Sequence, residues 1–157
     1  MMKTVRTLAM TVAVVFLATM AAHAVQEKWT FMVYMDADND LESYITSDIE
    51  TALAVPGSSP DVNVVTLADG YNGKGTLWKT AKFFYVTGGM QATAANAVGD
   101  WGERNMADPQ TLMDFVAYCR TNYPADHYAL SFWDHGGAAT MCARIGPAAT
   151  VGIIHVR

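Results

Sequence analysis

Residues 29–35 read WTFMVYM, a continuous apolar run rich in aromatic and β-branched residues, followed at once by DADND at 36–40. A strand with one wet face alternates apolar and polar side chains. A run without that alternation suits a strand covered on both faces, as in a parallel sheet. Beyond it, Leu41, Tyr44, Ile45, Ile49, Ala52 and Leu53 fall at helical spacing, and Pro56-Gly57 stops the pattern. Asn39, with Glu42 three residues later, fits a capping box at the helix entry. Val62 to Leu67 is a second β-rich run. Strand, helix and strand in this order predict a βαβ unit with a right-handed crossover.

The rest of the chain extends the pattern. Asp69 to Gly75 is turn-like, and Thr76 to Thr87 reads as a β-hairpin or a pair of short edge strands. Gly88 to Ala107 gives a weak signal, a short helix near Ala92–Val98 and then a loop. Asp108-Pro109 starts a helix, with an N-cap Asp and Pro at the first helical position. Leu112, Phe115, Val116, Cys119 and Tyr123 mark one face of it, and Pro124 ends it. Tyr128 to Trp133 is a third buried strand, broken off by Asp134-His135-Gly136-Gly137. The expectation is an α/β fold with three parallel strands. Trp29–Met35 takes the centre, with Val62–Leu67 and Tyr128–Trp133 on either side.

Composition narrows the function. The chain has 157 residues, 52% hydrophobic and 16% charged, with a formal net charge of −5. That suits one domain with a real core rather than a disordered chain. The acidic balance argues against a nucleic-acid partner held by phosphate contacts. Two cysteines cannot build a disulfide-dense scaffold. Cys119, on an apolar helix face, reads as a small buried hydrophobe.

Residues 1–24 carry Lys3 and Arg6, an apolar run from Leu8 to Met20, and Ala22-His23-Ala24 as a small-x-small cleavage site. This is the layout of a secretory signal peptide. The run is shorter than the roughly 20 residues that span a bilayer. No membrane span is expected after its removal, and the protein is expected to be secreted or held in the cell envelope or periplasm. Loss of its two bases makes the exported chain more acidic still.

Two segments resemble the clostripain family of cysteine peptidases. The first is Lys28 to Met35 with Asp38-Asn39-Asp40-Leu41-Glu42 behind it. The second runs from Asn105-Met106-Ala107-Asp108-Pro109 through Leu112, Phe115 and Tyr123 to Leu130, then Trp133-Asp134-His135-Gly136. The resemblance implies a caspase-like α/β sandwich with a mainly parallel sheet, incomplete at its C-terminal side. It implies a hydrolase working through a His–Cys dyad on peptide or protein substrates. His135 matches the catalytic His. Catalytic groups of open parallel sheets gather beyond the carboxyl ends of the strands, which suits that position. A His there can accept a thiol proton or donate one to a leaving amine. The resemblance also implies calcium, without assigning ligands to it.

The sequence departs from the family after Gly137. Residues 25–137 read as the N-terminal part of the peptidase domain and 138–157 as an unmatched tail, by frameshift or truncation or as a natural short chain with a new role. The Asp-x-Cys segment that carries the nucleophile in the family is missing, as is the acidic residue that favours Arg or Lys beside the cleaved bond. Cys142, seven residues after His135, leaves no room for an intervening core strand. Asp36, Asp38 and Asp40 resemble the start of a calcium loop, but Leu41 stands where an EF-hand needs Gly and Ser47 where it needs Glu. They read as helix capping and loop chemistry. His127 and His155 show no metal-ligand spacing. Two functions stand side by side: an exported clostripain-like endopeptidase, incomplete and inactive as written, or a non-catalytic half-domain that binds a partner through an open sheet edge.

Overall fold

The structure is a computed structural model that describes residues 27–71 and 78–134. Among the described residues, five strands form one open sheet in the order β4-β3-β2-β1-β5. They are β1 (Glu27–Ala37), β2 (Val62–Gly70), β3 (Lys82–Tyr85), β4 (Gly99–Asp100) and β5 (Ala125–Trp133). β1 is central and runs parallel to both β2 and β5, with Phe31 opposite Val64 on one side and Ala129 on the other. This is the expected three-strand parallel core. β3 and β4 add an antiparallel wing on the β2 side.

The apolar run of β1 is explained by helical cover on both faces. Met32 and Tyr34 face a core layer formed with Phe83, Leu130 and the helix α2 (Pro109–Asn122), which contributes Phe115, Val116 and Cys119. Val33 and Met35 face the opposite layer, with Ile45, Ile49, Ala54, Trp78, Phe84 and Trp133. Asp108 caps α2 as the sequence predicts, its side chain accepting from the Gln110 N–H at 2.9 Å. Cys119 is fully buried, and burial pushes its thiol far above the ordinary range. It is a core hydrophobe, not a reactive thiol.

The crossover between β1 and β2 changes pitch along its length. A 3-10 turn (Glu42–Tyr44) leads into α1 (Ile45–Asp48), which widens into a π turn (Ile49–Leu53). The widening delivers Ala54, not Ala52, to the core, and Tyr44 lies exposed. The expected capping box takes another form. Asn39 Oδ1 accepts from the Leu41 N–H at 2.8 Å, while Glu42 reaches across to the Tyr71 N–H at 3.1 Å. Gly57 closes the segment at φ +59°, and a Cβ there would run into the backbone of Gly88.

Three other local expectations change. Asp69 and Gly70 extend β2 rather than opening a turn. Among its described residues, the Thr76–Thr87 stretch supplies one strand, β3, whose outer neighbour β4 comes later in the chain. The Ala92–Val98 helix shrinks to a single 3-10 turn, Ala94–Asn96. No helix among the described residues is long and apolar enough to cross a membrane.

Candidate functional site

Because β1, β2 and β5 are parallel, their carboxyl ends share one end of the sheet, and that end is acidic. Asp36, next to last in β1, lies directly opposite Asp69 of β2, and Asp134 follows β5. Parallel sheets place their sites here because the chain leaves every strand into a loop at the same end.

The bend after β1 folds back over this end. Asn39 Nδ2 donates to the Asp36 carbonyl at 3.1 Å and to Asp134 Oδ1 at 3.1 Å. Trp133 Nε1 donates to Asp48 Oδ2 at 2.8 Å, tying the end of β5 to the crossover helix. The opposite wall is the connection from β4 to α2. Tyr34 holds it by donating its hydroxyl to the Met106 carbonyl at 3.0 Å.

Electrostatics follow from this crowding. Burial raises the Asp69 pKa first, and Glu103, Asp38 and Asp36 add to it, while the Gly70 N–H offsets only a part. The group is pushed up to about 7. Burial, then Asp134 and Asp38, raise Asp36 as well. Burial and the same acidic surroundings push the Tyr34 phenol upward. The Lys28–Asp61 and Lys82–Asp100 ion pairs involve neither Asp36 nor Asp69.

One carboxylate oxygen each from Asp38, Asp69 and Glu103 lie within 4.8 Å of one another. The sequence reading placed Asp38 in loop chemistry and singled out neither Asp69 nor Glu103. Asp69 carried a readable signal, an acid closing a β-rich run. Glu103 carried none, since only the fold brings residues 34 positions apart together. His135, Cys142 and His155 lie outside the described residues. His127 is exposed on β5 and packs against Trp29, with ring centroids 4.8 Å apart.

The described residues form an open α/β sandwich with acidic loops at the carboxyl end of a parallel core. The particular family is set by comparison: the sequence profile of the clostripain family matches residues 33–149, and the chain belongs to that family. It is 34% identical over 128 residues to clostripain of Hathewaya histolytica, covering 72% of this chain and 24% of that protein. The chain thus spans about a quarter of the length of this curated relative. Its fold is similar to that of a B. fragilis cysteine protease, with a TM-score of 0.56 and 21% identity, covering 74% of this chain and 98% of that one. It is also similar to a secreted cysteine protease from Bacteroides thetaiotaomicron solved with an irreversible peptide inhibitor. There the TM-score is 0.55 and the identity 21%, with 71% of this chain and 30% of that one covered.

Proposed function

We propose that this chain supplies the histidine-bearing part of an exported clostripain-like cysteine endopeptidase. The family match over residues 33–149 carries the reading. The parallel core supports it, since β5 leads directly into Asp134-His135-Gly136 at the sheet end where such folds do their chemistry. In this reading His135 takes the proton of a cysteine thiol. The thiolate attacks the peptide carbonyl and forms a thioester as the amine leaves with a proton from His135. Water then releases the acyl group. Asn39 and Asp134 act at this end by holding the loops, not by touching the bond that breaks.

The 157 residues contain no Asp-x-Cys. The chain by itself is therefore expected to be inactive, because general-base help, worth about 10²–10⁴-fold, does not replace a positioned thiolate. The decisive experiment translates all three frames of the DNA downstream of the Gly137 codon. A strand followed by Asp-x-Cys is expected, and the restored protein should cleave after Arg or Lys and lose turnover in His135→Ala with its fold intact. Alkylator-sensitive cleavage by the 157-residue chain, lost in Cys142→Ala, would overturn the inactive reading. Export is checked by the intact mass of secreted protein, expected to begin at Val25.

A second reading is a non-catalytic half-domain that pairs with another chain through the sheet edge. Its support is that the matched B. fragilis chain is covered over 98% of its length. β5 is the outermost strand on its side among the described residues. A stable complex with a separately expressed Cys-bearing half would favour it.

A further inference from the structure

The two residues that precede His135 are both held from the crossover between β1 and β2. Trp133, buried at the end of β5, donates its Nε1 hydrogen to Asp48 Oδ2 at 2.8 Å. Asp134 Oδ1 accepts from Asn39 Nδ2 at 3.1 Å. Asn39 is itself braced. Its Nδ2 also donates to the Asp36 carbonyl, its Oδ1 accepts from the Leu41 N–H, and its backbone carbonyl accepts from the Glu42 N–H at 3.3 Å. Only a short amide can do all of this. Aspartate lacks the donor, and the extra methylene of glutamine would pull the oxygen out of its turn with Leu41. Asp134 is exposed, and a bond from a fixed amide selects one rotamer of an exposed aspartate.

We propose that Asn39 is a positioning residue for His135, acting through the side chain of Asp134. The inference rests on the reading of His135 as the general base. Asp134 and His135 are covalent neighbours. A carboxylate one residue away biases the protonation of an imidazole, by its distance and by the donors it already serves. The Asn39 N–H fixes where that carboxylate stands and takes up part of its acceptor capacity. Asp36, Asp38, Asp40, Asp48, Asp69 and Glu103 place further acids at the same end of the sheet, but Asp134 is the carboxylate that Asn39 engages. The Trp133–Asp48 bond fixes the strand end, and the Asn39–Asp134 bond fixes the first residue beyond it. A general base works only within hydrogen-bond reach of its proton, and a misplacement of about 1 Å costs about 10²-fold in rate. The crossover helix thus helps to aim the histidine without touching substrate.

The test titrates the imidazoles of the 157-residue chain by NMR with isotope-labelled histidine. His135 is assigned through His135→Ala, and His127, exposed near the start of β5, is the internal control. Asn39→Ala is expected to move the His135 pKa by about 0.3 or more, a twofold change in its protonation constant, while His127 stays in place. In an Asp134→Ala background the same change at Asn39 should move nothing further, because its route is gone. Thr30→Val removes a hydrogen-bonded group at the other end of the sheet and should leave His135 unmoved, which separates positioning from a general loss of stability. Should Asn39→Ala open the bend, Asn39→Ser keeps an acceptor for the Leu41 N–H, is too short to reach Asp134, and gives the same reading. An unmoved His135, or effects at Asn39 and Asp134 that simply add, would overturn the inference. In the restored peptidase, Asn39→Ala should lower kcat about tenfold or more with KM within about twofold. The exchange Asn39→Asp with Asp134→Asn, which keeps a donor facing an acceptor, should recover part of that loss. An unchanged kcat in Asn39→Ala would equally overturn it. Full activity of the restored His135→Ala protein would instead remove the peptidase reading, while the titration still decides whether Asn39 acts on His135 through Asp134.

Discussion

Asn39 and Asp134 are joined side chain to side chain across 95 residues of sequence, Nδ2 to Oδ1 at 3.1 Å. The same Asn39 amide donates to the Asp36 carbonyl, and its oxygen accepts from the Leu41 N–H. One amide therefore shapes the bend after β1 and fastens it to the end of β5. Replacing it by aspartate removes the donor and sets a like charge against Asp134. Asn39→Asp is expected to lose about 1–3 kcal/mol of stability in urea unfolding, with Asn39→Ala losing less. Equal stability of Asn39→Asp and the parent chain would show that the bond holds nothing.

The pH dependence of Asp69 has a definite sign. Its pKa is raised from 3.8 to about 7 in the folded chain. Between those values the folded state keeps a proton that the unfolded state has released. The contribution is whole below about pH 4 and is lost as the pH climbs to about 7, at up to about 1.4 kcal/mol per pH unit. In chelator-treated protein, Asp69→Asn should gain on the parent chain from pH 4.5 to 7.5. A parallel fall in both proteins would place the pH dependence elsewhere.

At the opposite end of the sheet, Thr30 is a buried relay. Its hydroxyl donates to the Tyr123 carbonyl at 2.7 Å and accepts from Asn63 Nδ2 at 3.1 Å, while Tyr85 donates to Asn63 Oδ1 at 3.2 Å. Thr30→Val keeps the shape and strands both partners. A loss of about 1–3 kcal/mol is expected, read from the denaturant midpoint at unchanged slope. A neutral result would mean that water repairs the gap.

Gly70 is needed for a different reason. A Cβ there would collide with the Trp78 carbonyl oxygen, whereas one at Gly99 would meet only Phe83 Cβ, 3.5 Å away. Gly70→Ala should cost about 1–3 kcal/mol through a forced backbone shift. Gly99→Ala should lower the melting temperature far less. Equal effects of the two would remove the steric argument.

The parallel core was readable because each strand is apolar without alternation and is bounded by sharp breakers. Pro56-Gly57 and Asp134 are examples. Asp108-Pro109 was equally plain, since an N-cap and an N1 proline act locally. The wing was harder. β4 is two residues long, Gly99–Asp100, and owes its existence to pairing with Phe83 and Lys82, not to propensity. The π turn was invisible because it moves one apolar contact from Ala52 to Ala54. Asp69 and Glu103 escaped as a pair because each is an ordinary acid until the sheet brings them together.

The position of β1 between β2 and β5 also sets a timetable. Phe31 meets Val64, 33 residues on, but meets Ala129 only after 98. Closing the longer loop costs little more in entropy, yet non-local parallel pairing is slow. During synthesis at 5–20 residues per second, the second flank of β1 waits roughly 5–20 s for its partner. For that interval an apolar strand edge is open to other nascent chains. Strand order in this sheet thus gives the newborn chain a window of aggregation risk that ends only with the arrival of β5.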